Sequence, residues 1–309
     1  MKISVCMATY NGAKYVEEQI FSILKQSFVN FELIISDDGS SDDTIKIINK
    51  YVDTDSRIKL VFNEGKHGFK NNFINALKYA NGDYVAFCDQ DDIWTENHLE
   101  ILLNKIGSND LIGANADLVD SNGVSLGYDM KDVLELEKVP SDEWKLLISE
   151  LYGNIFQGTA LLITSDLANK LKSIPEEVYF HDYWTALLAL VNKGAKYIDD
   201  VVLLYRQHEG NVTVNVKKSY WEKKFDRKRK TELIERQLLL LEAFNRECNI
   251  DIIKNDLLDA MSFCSNRLSG KVLKNSILFI KIYNKIYYCR KKSFFLFIAR
   301  FIKVLLNLY

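Results

Sequence analysis

Proline is almost missing from this chain. Pro140 and Pro175 are the only two in 309 residues, which excludes a long Pro-rich spacer between domains. Cysteine is sparse and patternless: Cys6, Cys88, Cys248, Cys264 and Cys289 are odd in number and contain no C-x-x-C pair. Reduced thiols in a reducing compartment fit that set better than a disulfide framework or a zinc site. Cys6 and Cys88 fall inside apolar runs and read as small core residues. No G-x-G-x-x-G follows the first strand-like run, so a dinucleotide-binding oxidoreductase loses its main support. The start, Met1-Lys2-Ile3-Ser4-Val5, enters a strand-like run without a charged leader or cleavage site, and the chain is expected to stay in the cytoplasm. A membrane-spanning helix needs about 20 apolar residues. The strongest candidate, Ser293–Tyr309, is only 17 residues long and is broken by Arg300 and Lys303. There is no internal repeat and no low-complexity tract.

What is present is an ordinary globular balance, with 48% hydrophobic and 27% charged residues, in a length that allows two domains. The net charge of −2 conceals a split. From Lys217 onward there are 21 Lys+Arg against 9 Asp+Glu, while residues 1–216 carry 19 against 33. An acidic part suited to holding cations is followed by a basic part suited to meeting an anionic surface. The expected division is therefore 1–216 and 217–309.

Strand-like and helix-like patterns alternate over the first part of the chain, which argues for an α/β sheet with mostly parallel strands. Strands are expected at Ile3–Thr9, Phe31–Ser36, Ile58–Phe62 and Tyr84–Cys88, and helices at Ala13–Gln26, Asp42–Val52 and Gly68–Ala80. A Ser/Asp cluster suits the start of the second helix. Further on, Leu111–Val119 reads as a strand that leaves through the turn Asp120-Ser121-Asn122-Gly123. Asp129–Asp142 is polar and mixed and reads as a mobile segment. Trp144–Leu151 and Asp182–Lys193 read as helices, Ala160–Thr164 and Tyr197–Tyr205 as strands. Beyond Lys217 the pattern is helical throughout: Tyr220–Asn245, Asp251–Leu268 and Lys271–Tyr309.

Three strand ends carry polar clusters: Thr9-Tyr10-Asn11-Gly12, Asp37-Asp38-Gly39-Ser40 and Asp89-Gln90-Asp91-Asp92. In an open parallel sheet these ends share one edge, where ligands bind. Three carboxylates within four residues repel one another unless a cation or solvent neutralises them. Hard cations such as Mg²⁺ or Mn²⁺ take such oxygen ligands together with substrate phosphates. A solvated acidic turn that caps the next helix is the other reading, and the apolar residues on both sides of the cluster favour a site.

These clusters resemble the family 2 glycosyltransferases with a GT-A fold, the nucleotide-diphospho-sugar transferase fold. The resemblance rests on Val5-Cys6-Met7-Ala8-Thr9-Tyr10-Asn11-Gly12, on Glu32 through Asp42, and on Asn81-Gly82-Asp83-Tyr84 leading to Asp89-Gln90-Asp91-Asp92. It continues through His181-Asp182 and Tyr205-Arg206-Gln207-His208-Glu209-Gly210-Asn211. It implies a mixed, mainly parallel central sheet followed here by a C-terminal helical region. It also implies roles. Tyr10 would flank the donor base and Thr9 the nucleoside, with Asn11 in the same cluster. Asp37 or Asp38 would bond the pyrimidine or ribose. Asp91 would ligate Mg²⁺ or Mn²⁺, and Asp89, with Gln90 beside it, would hold the metal shell or the donor sugar. Asn63, Gly65 and Asn72 lie where relatives contact the donor. Asp182 matches the general base of an inverting displacement, a task suited to a carboxylate, although a helix-capping Asp is the bland reading of that residue. His181 stands where many relatives carry Glu.

The block Arg206–Asn211 is similar to the Tyr-Arg-Gln-His segment of rhamnosyltransferase-like members. It reads as a flexible lid over the donor diphosphate, with Arg206 and His208 as phosphate or metal contacts. It departs from the Gln-x-x-Arg-Trp motif of processive synthases, which argues against polymerisation coupled to export. The donor expected on this likeness is dTDP-rhamnose; a UDP-hexose or UDP-N-acetylhexosamine is the rival. A catalytically idle nucleotide-sugar-binding scaffold would lack the metal carboxylate or the base, and both are present. A nucleotidyltransferase would want a Gly-rich basic loop near the start, and Tyr10-Asn11-Gly12-Ala13-Lys14 is a poor version of one.

From Lys271 onward there are nine Lys+Arg and no Asp or Glu, interleaved with aromatics and aliphatics. Such a tail suits the interface of an anionic membrane, which points to a protein peripheral at the inner face of the cell membrane with a lipid-linked saccharide acceptor. Packing helices with a solvated basic face, or a contact within a homodimer, are the other uses. Nucleic acid is not expected, because the aromatics cluster with aliphatics rather than forming a basic stacking groove.

Overall fold

The computed structural model describes residues 1–209, 227–248 and 250–306. Gly210 and Asn211 of the lid block, the expected boundary at 216/217 and the start of the Tyr220–Asn245 helix lie outside the described residues. In chain order the first elements are β1 (Ile3–Thr9), α1 (Val16–Leu24), β2 (Phe31–Asp37), α2 (Thr44–Val52), β3 (Ile58–Phe62) and α3 (Phe69–Leu77). Next come β4 (Tyr84–Asp89), β5 (Ile93–Trp94), α4 (His98–Lys105), β6 (Leu111–Val119), β7 (Ser125–Asp129), α5 (Met130–Val133) and α6 (Glu143–Leu151). Then follow β8 (Leu161–Thr164), α7 (Ser165–Leu171), α8 (His181–Leu190) and β9 (Ala195–Arg206). Among the described residues four α-helices follow: α9 (Arg227–Cys248), α10 (Lys254–Leu268), α11 (Val272–Ile286) and α12 (Phe294–Leu305). The chain divides into two compact units. One comprises Met1–Val133, Phe156–Ile174 and His181–Asn211; the other comprises Leu134–Ile155, Pro175–Phe180 and Val212–Tyr309.

The first unit is built on a nine-stranded sheet of order β3-β2-β1-β4-β8-β6-β9-β5, with β7 paired to β6. β1, β2, β3, β4, β6 and β9 run one way, and β5, β7 and β8 the other. The sheet is thus mixed and mainly parallel, as expected of a GT-A fold. β1, β2 and β4 are buried almost continuously rather than on alternate residues, the mark of a sheet covered on both faces. α1 buries Val16, Gln19, Ile20 and Ile23, one stripe at helical spacing. Gly82 fixes the start of β4 against β1. A Cβ there would stand 2.6 Å from the Ser4 nitrogen and 2.8 Å from the Lys2 carbonyl oxygen, both backbone atoms that cannot swing away.

Several elements differ from the sequence expectation. β5 has two residues, too few for a period to show, and none of the five residues of β7 is buried. α4 buries His98 between tertiary partners, so its apolar stripe (Leu99, Leu102) is short. α7 also went unread. In Asp129–Asp142, expected to be a mobile segment, Met130–Val133 is helical and Leu136 pairs with Arg290 in an antiparallel bridge.

The second unit is helical. Asp142 caps α6 by accepting from the Lys145 N–H at 2.8 Å. Its core gathers Phe263, Phe279, Ile282, Ile286, Tyr287 and Val304, with Tyr152, Phe297 and Phe301 packed against them. The tail is two helices rather than the single run Lys271–Tyr309. α11 ends at Ile286, and α12 restarts where the Ser293 hydroxyl accepts from the Leu296 N–H at 3.1 Å. Buried Arg300 of α12 pairs with Glu135, donates to the Lys291 carbonyl at 2.8 Å and stacks over Tyr287 at 3.9 Å. An arginine inside an apolar helix is therefore an internal brace, which residue type alone does not reveal.

Candidate active site

The parallel registers place Thr9 opposite Asp37 and Ala8 opposite Asp89, so the ends of β1, β2 and β4 do share one edge. Around the ends of β1 and β2 the carboxylates are held by the protein. Asp37 is buried, and its Oδ1 accepts from the Gly39 and Ser40 N–H groups at 3.0 and 2.7 Å. Its Oδ2 accepts from Thr9 Oγ1 at 2.8 Å and Ser40 Oγ at 2.6 Å. Asp38 accepts from Asn63 Nδ2 at 2.6 Å and from the Gly68 N–H at 2.7 Å, with His67 Nδ1 3.0 Å away. Gly65 donates its N–H to Asn63 Oδ1 at 3.2 Å. Asn72 donates to the Thr9 and Ser36 carbonyls at 3.1 and 2.8 Å. These residues form one network that shapes the loops after β1, β2 and β3, and Tyr10 stands exposed at its rim.

A second tie joins that rim to the acidic cluster. Tyr10 donates its N–H to Gln90 Oε1 at 3.0 Å, and Gln90 Nε2 donates back to the Tyr10 carbonyl at 3.0 Å. A side chain at Gly12 would collide with this carboxamide, which explains the glycine after Asn11. Asn11 adopts a positive φ of 46°, tolerated best by Asn among non-glycine residues, and its Oδ1 accepts from the Ser41 N–H at 2.8 Å.

Asp89, Asp91 and Asp92 each offer a carboxylate oxygen, all within 4.8 Å of one another. Burial, and then the charges of Asp91 and Asp182, push the Asp89 carboxyl up to about 8. Burial, Asp91 and Asp89 likewise hold Asp92 well above the usual carboxylate range. Asp92 Oδ1 accepts from the Arg206 N–H at 3.0 Å, and its buried Oδ2 lacks a hydrogen bond among the described residues, with the Thr159 hydroxyl nearby but outside bonding geometry. Asp91 Oδ2 lies 2.7 Å from His208 Nε2, and the His208 ring packs on Tyr15 at 4.9 Å.

Arg206, expected as a phosphate contact, is 2% exposed. It donates to the Asp91 carbonyl at 2.8 Å and the Ser121 carbonyl at 3.3 Å, and pairs with Glu18 at 2.5 Å. In this structure it braces the acidic loop from beneath. β9 delivers both Arg206 and His208 to the cluster, because its parallel pairing with β6 runs on to Val119–Arg206.

Asp182 lies in the first turn of α8 and accepts from the Tyr183 N–H at 2.8 Å. Its charge is felt by Asp89, so the structure brings the base candidate and the acidic cluster into one field. Two residues not singled out in the sequence belong here. Gly158, in a single-turn helix before β8, lies against Asp182 and His181: a Cβ there would stand in ordinary contact, 3.7 Å from Asp182 Oδ2 and from His181 Nε2. Thr159 is buried next to it. Their only sequence signal is a Gly-Thr pair before a short strand. His181 is buried against Phe73 and Phe87, at 4.5 and 5.0 Å, and burial pushes its imidazole down to about 3.

Residues 4–165 match the family model described as "Glycosyl transferase family 2". The chain belongs to this family. Among its curated relatives, the Escherichia coli "UDP-Glc:alpha-D-GlcNAc-diphosphoundecaprenol beta-1,3-glucosyltransferase WfgD" is 37% identical over 124 residues, 40% of this chain and 48% of the relative. The chain thus spans about half the length of that relative. The Shigella flexneri "dTDP-rhamnosyl transferase RfbG" is 29% identical over 215 residues, covering 66% of this chain and 72% of the relative. The family 2 fold is matched in Staphylococcus aureus TarS 1–349 in complex with UDP-GlcNAc, with a TM-score of 0.60 at 21% identity over 99% of this chain and 82% of that one.

Proposed function

We propose that the chain is an inverting glycosyltransferase that moves a sugar from a nucleotide diphosphate donor to a saccharide acceptor in cell-surface polysaccharide synthesis. One observation carries this reading: the carboxylates Asp89, Asp91 and Asp92 meet at the sheet edge within the electrostatic reach of Asp182. The cluster fits a divalent cation by its chemistry, since three clustered carboxyls include a buried oxygen without a hydrogen bond and an Asp89 pushed up to about 8. Asp91 and Asp89, with His208 beside Asp91, would hold Mg²⁺ or Mn²⁺, which when bound supplies charge to neutralise the diphosphate leaving group.

Tyr10 flanks the donor base at the exposed rim, with Thr9, Asn11, Asp37, Asp38, Asn63, Gly65 and Asn72 shaping the nucleoside side and Gln90 tying it to the acidic loop. Asp182 takes the acceptor hydroxyl proton as that oxygen bonds to the anomeric carbon and the bond to the diphosphate breaks, inverting the configuration in one displacement. Likeness to the rhamnosyl transferase supports dTDP-rhamnose as donor. Likeness to the glucosyltransferase favours a second reading, a UDP-hexose or UDP-N-acetylhexosamine donor. The acceptor on either reading is a lipid-linked saccharide. The basic tail accordingly meets an anionic membrane at its cytoplasmic face; no helix among the described residues is long and apolar enough to cross it.

The test is donor binding and nucleotide diphosphate release with a panel of nucleotide sugars and Mg²⁺ or Mn²⁺. Metal-dependent binding of one donor, abolished in Asp91→Asn, names the sugar. Binding retained with turnover lost in Asp182→Asn assigns the base. No binding of any donor with either metal overturns the enzyme reading in favour of a scaffold.

A further inference from the structure

α11 and α12 pack against each other through aromatic rings. Phe279 stacks with Phe297 and with Phe301, each at 6.3 Å, and Tyr283 meets Phe297 edge-on at 4.8 Å. This pairing uses one face of each helix and leaves a second apolar face on each uncovered. On α11, Leu273, Ile277 and Ile280 recur at i, i+4 and i+7 and are 73%, 64% and 56% exposed. On α12, Phe295, Ile298, Ile302 and Leu305 form the matching exposed stripe, opened by Phe294 at 72% and Phe295 at 82%.

We infer that α11 and α12 act together as a two-helix element lying in the plane of an anionic membrane surface, with both stripes in the headgroup–acyl boundary. The inference rests on the membrane reading proposed above, which concerned the basic tail as a whole, and assigns the contact to one exposed apolar stripe on each of the two helices. A 12-residue helix is about 18 Å long, shorter than a bilayer core of about 30 Å, so an in-plane position is the one open to it.

Charge selects the occupant. Residues 271–306 contain no Asp or Glu, and Lys271, Lys274 and Lys292 are exposed beside the two stripes, while Lys281 pairs with Asp259. In an isologous dimer the same patch faces itself, which would set like charges of this segment against one another. Anionic headgroups supply that counter-charge while the acyl boundary takes the apolar stripes.

Cosedimentation of the full chain with phosphatidylglycerol/phosphatidylethanolamine vesicles and with phosphatidylcholine vesicles tests this. Two variants accompany the wild type: Leu273→Ser/Ile277→Ser/Ile280→Ser on α11 and Phe294→Ser/Phe295→Ser on α12. Circular dichroism should be unchanged in both, because the altered side chains are exposed. The expected result is binding to the anionic vesicles, at least about 10-fold weaker binding to the zwitterionic ones, and at least about a 10-fold loss in each variant. An α11 variant that binds as wild type overturns the two-helix inference; if the α12 variant loses binding at the same time, the membrane reading stands. Wild type that ignores anionic vesicles overturns both. A dimer, measured by light scattering, that the variants convert to monomer without any vesicle binding makes a second copy the occupant and overturns the inference.

Discussion

The sheet edge and the tail solve opposite electrostatic problems. At the sheet edge carboxyl groups are concentrated: Asp89, Asp91 and Asp92 converge, and burial raises Asp89 to about 8. In the tail apolar surface is concentrated among cations, with no acid after Asp259. The edge therefore holds carboxyls that resist ionising until a small cation is present, whereas the tail holds exposed apolar area that an extended surface can cover. Compact ligand chemistry and extended surface chemistry are separated along one chain, and variants in one region should leave the other's readout unmoved.

The largest effect that would sharpen this contrast is at Asp182. Asp182→Asn should cut turnover by about 10³-fold with donor affinity within about twofold of wild type and vesicle binding unchanged; equal losses in donor binding and turnover would remove its assignment as base. Next comes the brace beneath the edge. Arg206→Gln should cost about 1–2 kcal/mol of unfolding free energy, because it removes a buried side chain that donates to the part-buried Asp91 and Ser121 carbonyls. Chemical denaturation measures this, and a loss below about 0.5 kcal/mol would show that the brace is dispensable. Gly82→Ala should cost about as much, about 1–3 kcal/mol, through overpacking against the β1 backbone; an unchanged melting temperature would contradict it.

The smallest effect concerns pH. His98 lies buried in parallel stacking with Trp94 at 3.8 Å, and burial pushes its imidazole down to about 3. Its folded pKa is below the unfolded value of about 6.5, so the unfolded chain takes up a proton first as pH falls. The stability tied to neutral His98 is complete above about pH 6.5 and is lost progressively toward pH 3. The raised Asp89 and Asp92 act in the opposite direction over part of that range, so total stability conceals the trend. The difference between wild type and His98→Phe isolates it. That difference should shrink by about 2 kcal/mol between pH 7 and pH 5, and a pH-independent difference would show that His98 can be protonated in the folded chain.

Much of the first unit was legible because its strands are continuous apolar runs that end in polar clusters: β1, β2 and β4 were read to within a residue. The convergence of Thr9, Asp37 and Asp89 on one edge followed from parallel pairing alone. β5, β7, α4 and α7 were not legible, since each is too short or too weakly patterned for a period to emerge. In the tail, residue type suggested one long helical run. The break at Tyr287–Lys292 came from bridges to Glu135 and Leu136, distant in sequence and invisible to local pattern.

Sequence by itself determined the alternation of strands and helices, the acidic cluster after β4 and the segregation of charge, because hydrophobic period and charge are properties of neighbouring residues. Only tertiary structure decided that Arg206 braces the acidic loop, that Asp37 and Asn72 shape loops, that Gly158 lies against Asp182, and that Arg300 faces inward. Each of these depends on which distant backbone atoms a side chain meets, and burial, not identity, sets whether a charged group is offered to a ligand or consumed within the fold.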